Sequence, residues 1–257
     1  MFKARVSTIR QYLPLIAWLL LAAGLIAGLM LVSAGPAYRL ELMTLSGAFG
    51  LLRYAAWVGL LVALMGLPLL GLGLYVGGGR RTIVPAGLAI LLGVTTAAIP
   101  YNWQQQARSV PPIHDISTDT VNPPAFEEVA PLRADAPNPT AYPGEETAEQ
   151  QREAYPDIET LKLEHPPETV LDMAVTTSQA MGWELVSVDA AEGRIEATDT
   201  TRWFGFKDDV VIRIRATPEG SELDIRSKSR LGQSDVGANA ARIRAFQEEL
   251  TRRLDRL

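Results

Sequence analysis

The chain has 257 residues, 47% of them hydrophobic, a formal net charge of −5 and no cysteine, which excludes disulfides, thiol nucleophiles, iron–sulfur clusters and cysteine-bound zinc. The charge averages two chemistries: residues 1–100 hold 7 basic and 1 acidic residue, whereas residues 101–257 hold 17 basic and 28 acidic ones, a balance of −11. An acidic second part argues against nucleic acid as a partner.

The apolar part, residues 1–100, reads as three membrane helices. Residues 12–34 form an uncharged run long enough to cross about 30 Å of hydrocarbon at about 1.5 Å per residue. Residues 54–76 form a second run, and residues 82–99 a shorter third. Three glycines, Gly77 to Gly79, with Arg80 and Arg81 make a tight polar turn, so the second and third helices form a hairpin. Pro68 lies inside the middle helix, where membranes tolerate it. A signal peptide is the competing reading for the first run, with Lys3, Arg5 and Arg10 ahead of it. The run exceeds the roughly 7–15 residues of a signal h-region, so an anchor is expected.

The basic residues set an orientation. Lys3, Arg5, Arg10, Arg80 and Arg81 fall on one side; Arg39 and Arg53, offset by Glu41, fall on the other. This predicts a cytoplasmic N-terminus and a periplasmic chain after Tyr101, in a bacterial inner membrane, with Tyr101 and Trp103 in the outer aromatic belt. The spans hold no Asp, Glu, Lys or His, one of which ion-coupled transport would normally need. Gly24 and Gly28 form a small-xxx-small pair able to bring helices close, or are ordinary glycines of a membrane helix.

Residues 101–156 read as an extended linker rich in proline and acids, with Pro111, Pro112, Pro123, Pro124, Pro137 and Pro139 precluding helix through most of it and residues 145–154 briefly helical. His114 beside Asp115 suggests a metal or acid/base pair only weakly, and an exposed linker histidine is the plainer reading.

Residues 157–257 read as a soluble α+β domain: a strand over 158–164, a helix opened by Pro166, Pro167 and Glu168 and closed by Gly182, a hairpin of 183–189 with 194–198, a hairpin of 209–216 with 221–229, and a last helix from about Val236. Ile243, Phe246, Leu250, Leu254 and Leu257 give that helix one apolar stripe. The order β-α-β-β-β-β-α fits an antiparallel sheet with two helices on one face, a TBP-like half or a related sandwich. Pairing Ala216 with Ser221 sets Ile214 against Leu223 and Ile212 against Ile225 on the core face. The same register sets Arg215 against Glu222 and Arg213 against Asp224 on the other face, and Asp209 against Lys228.

The chain's polar chemistry crowds into the corner between the last strand and the last helix. There, Phe206-x-Asp208-Asp209, then Arg226-Ser227-x-Ser229-Arg230-x-Gly232-x-x-Asp235-x-Gly237-x-Asn239 and Arg242-Ile243, resemble the bacterial domain-of-unknown-function family 1499. Residues 113–126, IHDISTDTVNPPAF, resemble the segment that opens the family's domain. Ala240 stands where members often carry arginine, which weakens any anion-binding role for the corner. The resemblance implies a location and a fold, and no activity.

Three chemistries compete at this corner. Arg226, Lys228 and Arg230 share a strand face beside a helix start and suit a carboxylate or phosphate, with Ser227, Ser229, Asn239 and Arg242 as further donors. Alternatively, the same bases are held in an Arg–Asp network with Asp235 as a helix cap. Asp208, Asp209 and Asp235 could meet at a divalent cation, but the register gives the acids basic neighbours, so no metal and no cofactor is expected. Separately, Trp203, Phe204 and Phe206 around Gly205 form an aromatic loop that either caps the core or meets lipid or a partner. No GxSxG, HExxH or phosphate-binding glycine loop occurs, and His165 precedes two prolines as a turn residue.

The expectation is a non-catalytic envelope protein: three spans and a periplasmic module that binds an envelope protein or an anionic ligand. An enzyme acting on an envelope lipid or glycan through Asp208, Asp209 or Asp235 is the alternative, and requires a carboxylate free of Arg or Lys in an open cleft. A third possibility is an accessory subunit of a larger membrane complex, with the helices making the contact.

Overall fold

The computed structural model describes residues 2–257, with side chains described from Arg10 onward; the predicted orienting side chains of Lys3 and Arg5 lie outside the described set. It divides into two compact units, one up to Gln105 and one from Gln106.

The first unit is built of α1 (Phe2–Arg39), α2 (Leu45–Tyr75) and most of α3 (Arg80–Ser109). All three are long and apolar enough to cross a membrane, with mean hydropathies of 2.6, 2.1 and 2.0. Thr44 starts α2 as an N-cap, its hydroxyl accepting from the Gly47 amide at 3.2 Å. Leu13, Ala17 and Leu21 of α1 pack with Val62 and Leu69 of α2 and Ala86 and Ala89 of α3. The outside is as apolar as the inside, with Leu15, Trp18, Leu29, Leu61 and Leu64 all exposed, as lipid rather than water demands. The close helix approach falls elsewhere than at Gly24 and Gly28. A Cβ on Gly28 would meet nothing, and one on Gly24 only ordinary contacts, whereas one on Gly93 would sit 2.5 Å from the Gly59 carbonyl oxygen. Here α2 and α3 touch backbone to backbone.

The second unit is an antiparallel six-stranded sheet. Strands β3 (Glu184–Asp189), β4 (Arg194–Thr200), β5 (Lys207–Thr217) and β6 (Gly220–Ser229) form a meander. Strands β1 (Asp115–Ser117) and β2 (Leu161–Leu163) both pair with the outer edge of β6. The predicted β5–β6 register is observed pair for pair, including Ile212 with Ile225, Arg213 with Asp224 and Asp209 with Lys228. Two helices, α5 (Pro167–Ala180) and α6 (Ala238–Leu254), pack together on one face. The α6 stripe of Ile243, Phe246, Leu250 and Leu254 is fully buried, each side chain contributing roughly 1.5–3 kcal/mol of apolar burial, and Phe246 stacks on Trp183 at 5.4 Å. Leu257, predicted on the same stripe, is exposed beyond the helix end.

The stretch predicted as a linker departs most from expectation. Helix α3 runs on to Ser109, and the following residues pack onto the sheet instead of spanning as a tether. They supply β1, a short 3-10 turn at Pro131–Arg133, and helix α4 (Glu145–Ala154), with Ile113, Ile116, Phe126 and Val129 buried. Prolines forbid helix but not packing, and here they stiffen a strap, residues 118–143, across the sheet face opposite α5 and α6. Helix α4 then seals β1: the Gln151 amide accepts from the Ser117 N–H at 3.0 Å and donates to the Ser117 carbonyl at 2.7 Å, standing in for a missing neighbour strand.

Candidate functional site

Side chains alternate across a strand, so consecutive residues of β5 and β6 serve different faces. The predicted corner therefore divides into two polar networks.

On the helix face, Arg242 of α6 is the hub. Its guanidinium donates to Asp208 at 2.6 Å, to Asp199 at 2.9 Å and to the Ser227 hydroxyl at 3.0 Å. Asn239, one turn earlier, accepts from Ser227 at 2.7 Å and donates to the Ser229 hydroxyl and the His114 carbonyl at 3.0 and 3.1 Å. Asp235 accepts from the amides of Gly237 and Asn239, 2.8 Å each. It does a cap's work from two residues ahead of the N-cap position, which Gly237 fills with φ +83°, and α6 starts at Ala238 rather than near Val236. Burial raises the Asp235 carboxyl above the usual range, and nearby Asp208 adds to that, while the two backbone N–H bonds oppose it.

On the strap face lie Asp115, Arg226 and Lys228, all buried. Arg226 grips Asp115 with two parallel bonds of 2.9 and 2.8 Å, and the Lys228 ammonium donates to the same carboxylate at 2.8 Å. The strap supplies the other acceptors: the carbonyls of Pro124 and Thr140 for Arg226, and of Ala141 for Lys228. The rings of Phe126 and Tyr142 lie 4.8 and 5.3 Å from the Arg226 guanidinium carbon, a cation–π contact with each. Next to this, Asp209 binds Arg133 at 2.9 Å, Arg230 at 2.8 Å through two bonds, and the Thr198 hydroxyl at 2.8 Å. Further along, Glu196 accepts from three successive strap amides, Glu127, Glu128 and Val129, at 2.9, 3.2 and 2.8 Å. Burial lowers the Lys228 ammonium and the Arg133 guanidinium from their usual values, and raises the Tyr142 phenol to about 12.

These positions correct one expectation. Arg226, Lys228 and Arg230 do share a face, but it is the strap face, away from the start of α6, and their donors are already engaged. Asp208 and Asp209 point to opposite faces and cannot share a cation with Asp235; among the described residues, no three His, Asp or Glu side chains are grouped to hold a metal. The aromatic loop closes on itself: Gly205 takes φ +72°, Phe204 is buried, and Trp203 and Phe206 flank it at 5.0 and 4.9 Å. His114 accepts helix- and strand-side donors through its carbonyl while the neighbouring Asp115 does the ionic work. Arg133, Gln151 and Glu196 were not singled out from sequence, and Asp115 only as the partner of His114. For Asp115 the signal lay in the family-like segment 113–126; a lone arginine amid the strap's acids marked Arg133.

Three apolar helices joined to an α+β domain closed by buried ion pairs define the class of protein. Residues 115–250, more than half the chain, match the family described as "Protein of unknown function (DUF1499)", and the chain belongs to that family. No curated protein matches it. Among solved structures, the X-ray crystal structure of protein MLL2253 from Mesorhizobium loti is similar at 18% identity and a TM-score of 0.30, covering 38% of this chain and 94% of that one.

Proposed function

We propose that this protein is a non-catalytic module of the bacterial envelope, anchored in the inner membrane by α1–α3, with its α+β domain on the periplasmic side binding an envelope protein or an anionic ligand. The engagement of the candidate acids carries the reading. Asp208 is tied to Arg242, Asp209 to Arg133 and Arg230, and Asp235 to two backbone amides. A general base must reach a substrate proton, and Asp208 and Asp209 are instead ion-paired in holding α6 and the strap to the sheet, while Asp235 caps the start of α6. The short polar motifs therefore build a rigid domain, and the helices fix it to the bilayer. The basic residues of the two loops, together with Arg10, support the orientation.

The chain has no cysteine, so single-cysteine variants report topology directly. Val121→Cys and Leu42→Cys, both at exposed positions, are expected to react with a membrane-impermeant maleimide in spheroplasts, and Gln11→Cys only after lysis. Mild-detergent purification of the full chain is expected to retain a stoichiometric envelope protein or a bound anion. Reversed labelling would overturn the periplasmic placement. Turnover of an envelope lipid or glycan that is abolished by Asp235→Asn in a folded protein would overturn the non-catalytic reading.

A further inference from the structure

A second concentration of charge lies in the helical unit. Between the first turn of the α1 span and the turn that joins α2 to α3 is a cavity of about 430 Å³, lined by Arg10, Gln11, Pro14 and residues 78–81. That volume falls within the roughly 300–1,000 Å³ of small-molecule sites. Among the described residues, its lining holds three arginines and no acid. All three arginines are exposed, in contrast to the buried Arg133, Arg226 and Lys228 of the other unit.

The turn is built to present them. Gly77 and Gly79 both take φ +69°, the Gly78 amide bonds the Gly73 carbonyl at 2.7 Å, and the Thr82 hydroxyl bonds the Gly78 carbonyl at 3.2 Å. Side chains at the two outer glycines would be strained at that φ, and one at Gly78 would press on Gly73 and Thr82 at 3.2 Å. Helix α3 opens at Arg80, so its first amides add positive potential to the side chains. In the sequence the uncharged run of α1 begins just after Arg10 and that of α3 just after Arg80 and Arg81, so these bases flank apolar runs, where hydrocarbon would give way to headgroups.

We infer that this cavity is a binding site for the phosphodiester headgroup of an anionic phospholipid. Guanidinium forks match phosphate oxygens in pairs, and three of them without a carboxylate leave the site short of negative charge. A lipid suits the position better than a soluble phosphate, because its acyl chains would run along the apolar flanks of the spans while the headgroup fills the basic end. The inference rests on α1–α3 crossing a bilayer and is independent of what the α+β domain binds.

The test uses the full chain in nanodiscs of phosphatidylcholine mixed with phosphatidylglycerol, released in mild detergent and weighed by native mass spectrometry. Phosphatidylglycerol is expected to stay bound in preference to phosphatidylcholine. Arg10→Gln, Arg80→Gln and Arg81→Gln are each expected to lower that retention about fivefold, while Arg53→Gln, in the first half of α2, leaves it unchanged. Each single variant leaves four of the five bases Lys3, Arg5, Arg10, Arg80 and Arg81 in place, so orientation is preserved. Equal loss with Arg53→Gln, or no preference between the two lipids, would overturn the site. Displacement of the lipid by an equal concentration of inorganic phosphate would overturn the lipid and leave a soluble anion site.

Discussion

Replacing Asp115 with alanine tests the strap-face network at its centre. The carboxylate is fully buried and holds two buried cations, Arg226 through bonds of 2.9 and 2.8 Å and Lys228 through one of 2.8 Å. Without it, Arg226 keeps two carbonyls and two aromatic rings, but Lys228 keeps only the Ala141 carbonyl. Breaking a buried ion pair by removing one partner costs about 3–5 kcal/mol, because the other charge stays buried. For a unit of this size that corresponds to a fall of roughly 10 °C in Tm, at about 2–4 °C per kcal/mol. The assay is urea unfolding of the full chain in mild detergent, read by hydrogen exchange in β6 peptides. Glu222→Ala, which removes a half-exposed partner of Arg215 at 3.5 Å, is the control and should cost less than about 1 kcal/mol. Excess positive charge as the cause makes two further demands. Asp115→Ala combined with Lys228→Met should recover part of the loss. The Asp115→Ala deficit should also narrow as pH rises: burial already holds the folded Lys228 pKa below the free value of about 10.4, so between the two the unfolded chain binds more protons and alkali favours folding. A cost no larger than that of Glu222→Ala, or no recovery in the double variant, would refute the charge argument.

Three other outcomes follow from the same structure. Gln151→Leu leaves the Ser117 N–H and C=O buried without partners, and should cost about 1–3 kcal/mol for each group while speeding amide exchange in β1. Asp235→Asn keeps a capping oxygen but removes a buried charge beside Asp208. The folded Asp235 carboxyl titrates above its unfolded value, so its stabilising contribution is present in acid and is lost as pH rises through the folded pKa; the asparagine variant should therefore gain on the parent over that rise in a pH–stability profile. Gly93→Val drives a side chain into the Gly59 carbonyl and the Ala63 amide, and should lower the thermal stability of the helical unit by about 1–3 kcal/mol in detergent, whereas Gly28→Ala, with open space around it, should not.

The sequence carried the parts of the fold that follow from local periodicity. Alternation on both faces of β5 and β6 fixed their register, because one slip would have put Ile212 and Ile225 among charges. Apolar runs located the three helices, and the Pro166–Glu168 start located α5. The brief helix over 145–154 is observed as α4, but residues 110–144 were misread as a tether because their contacts are long-range and polar. The strap has too few apolar residues to signal burial, and its attachments, such as the Glu196 carboxylate on three amides, pair residues some 67–69 positions apart. Composition reports what a segment could bury alone, and cannot report acceptors supplied from another strand.

The same point explains why the corner looked like a ligand site. A strap held by its carbonyls needs cations beneath it, and those cations need a carboxylate that helices or strands nearby can supply only from a fixed position. Arg226 and Lys228 on β6 meet that need through Asp115 on β1, with Ser227 between them turned to the other face to serve Asn239 and Arg242. A five-residue stretch thus serves two layers at once, and the density of polar side chains reflects that double duty. Ala240, where an additional arginine would mark an anion site, is fully buried in the hydrophobic core, so the substitution fits a helix packed against the sheet. In this chain, Arg10, Arg80 and Arg81 are exposed in the helical unit, whereas the charges of the buried motif already satisfy one another.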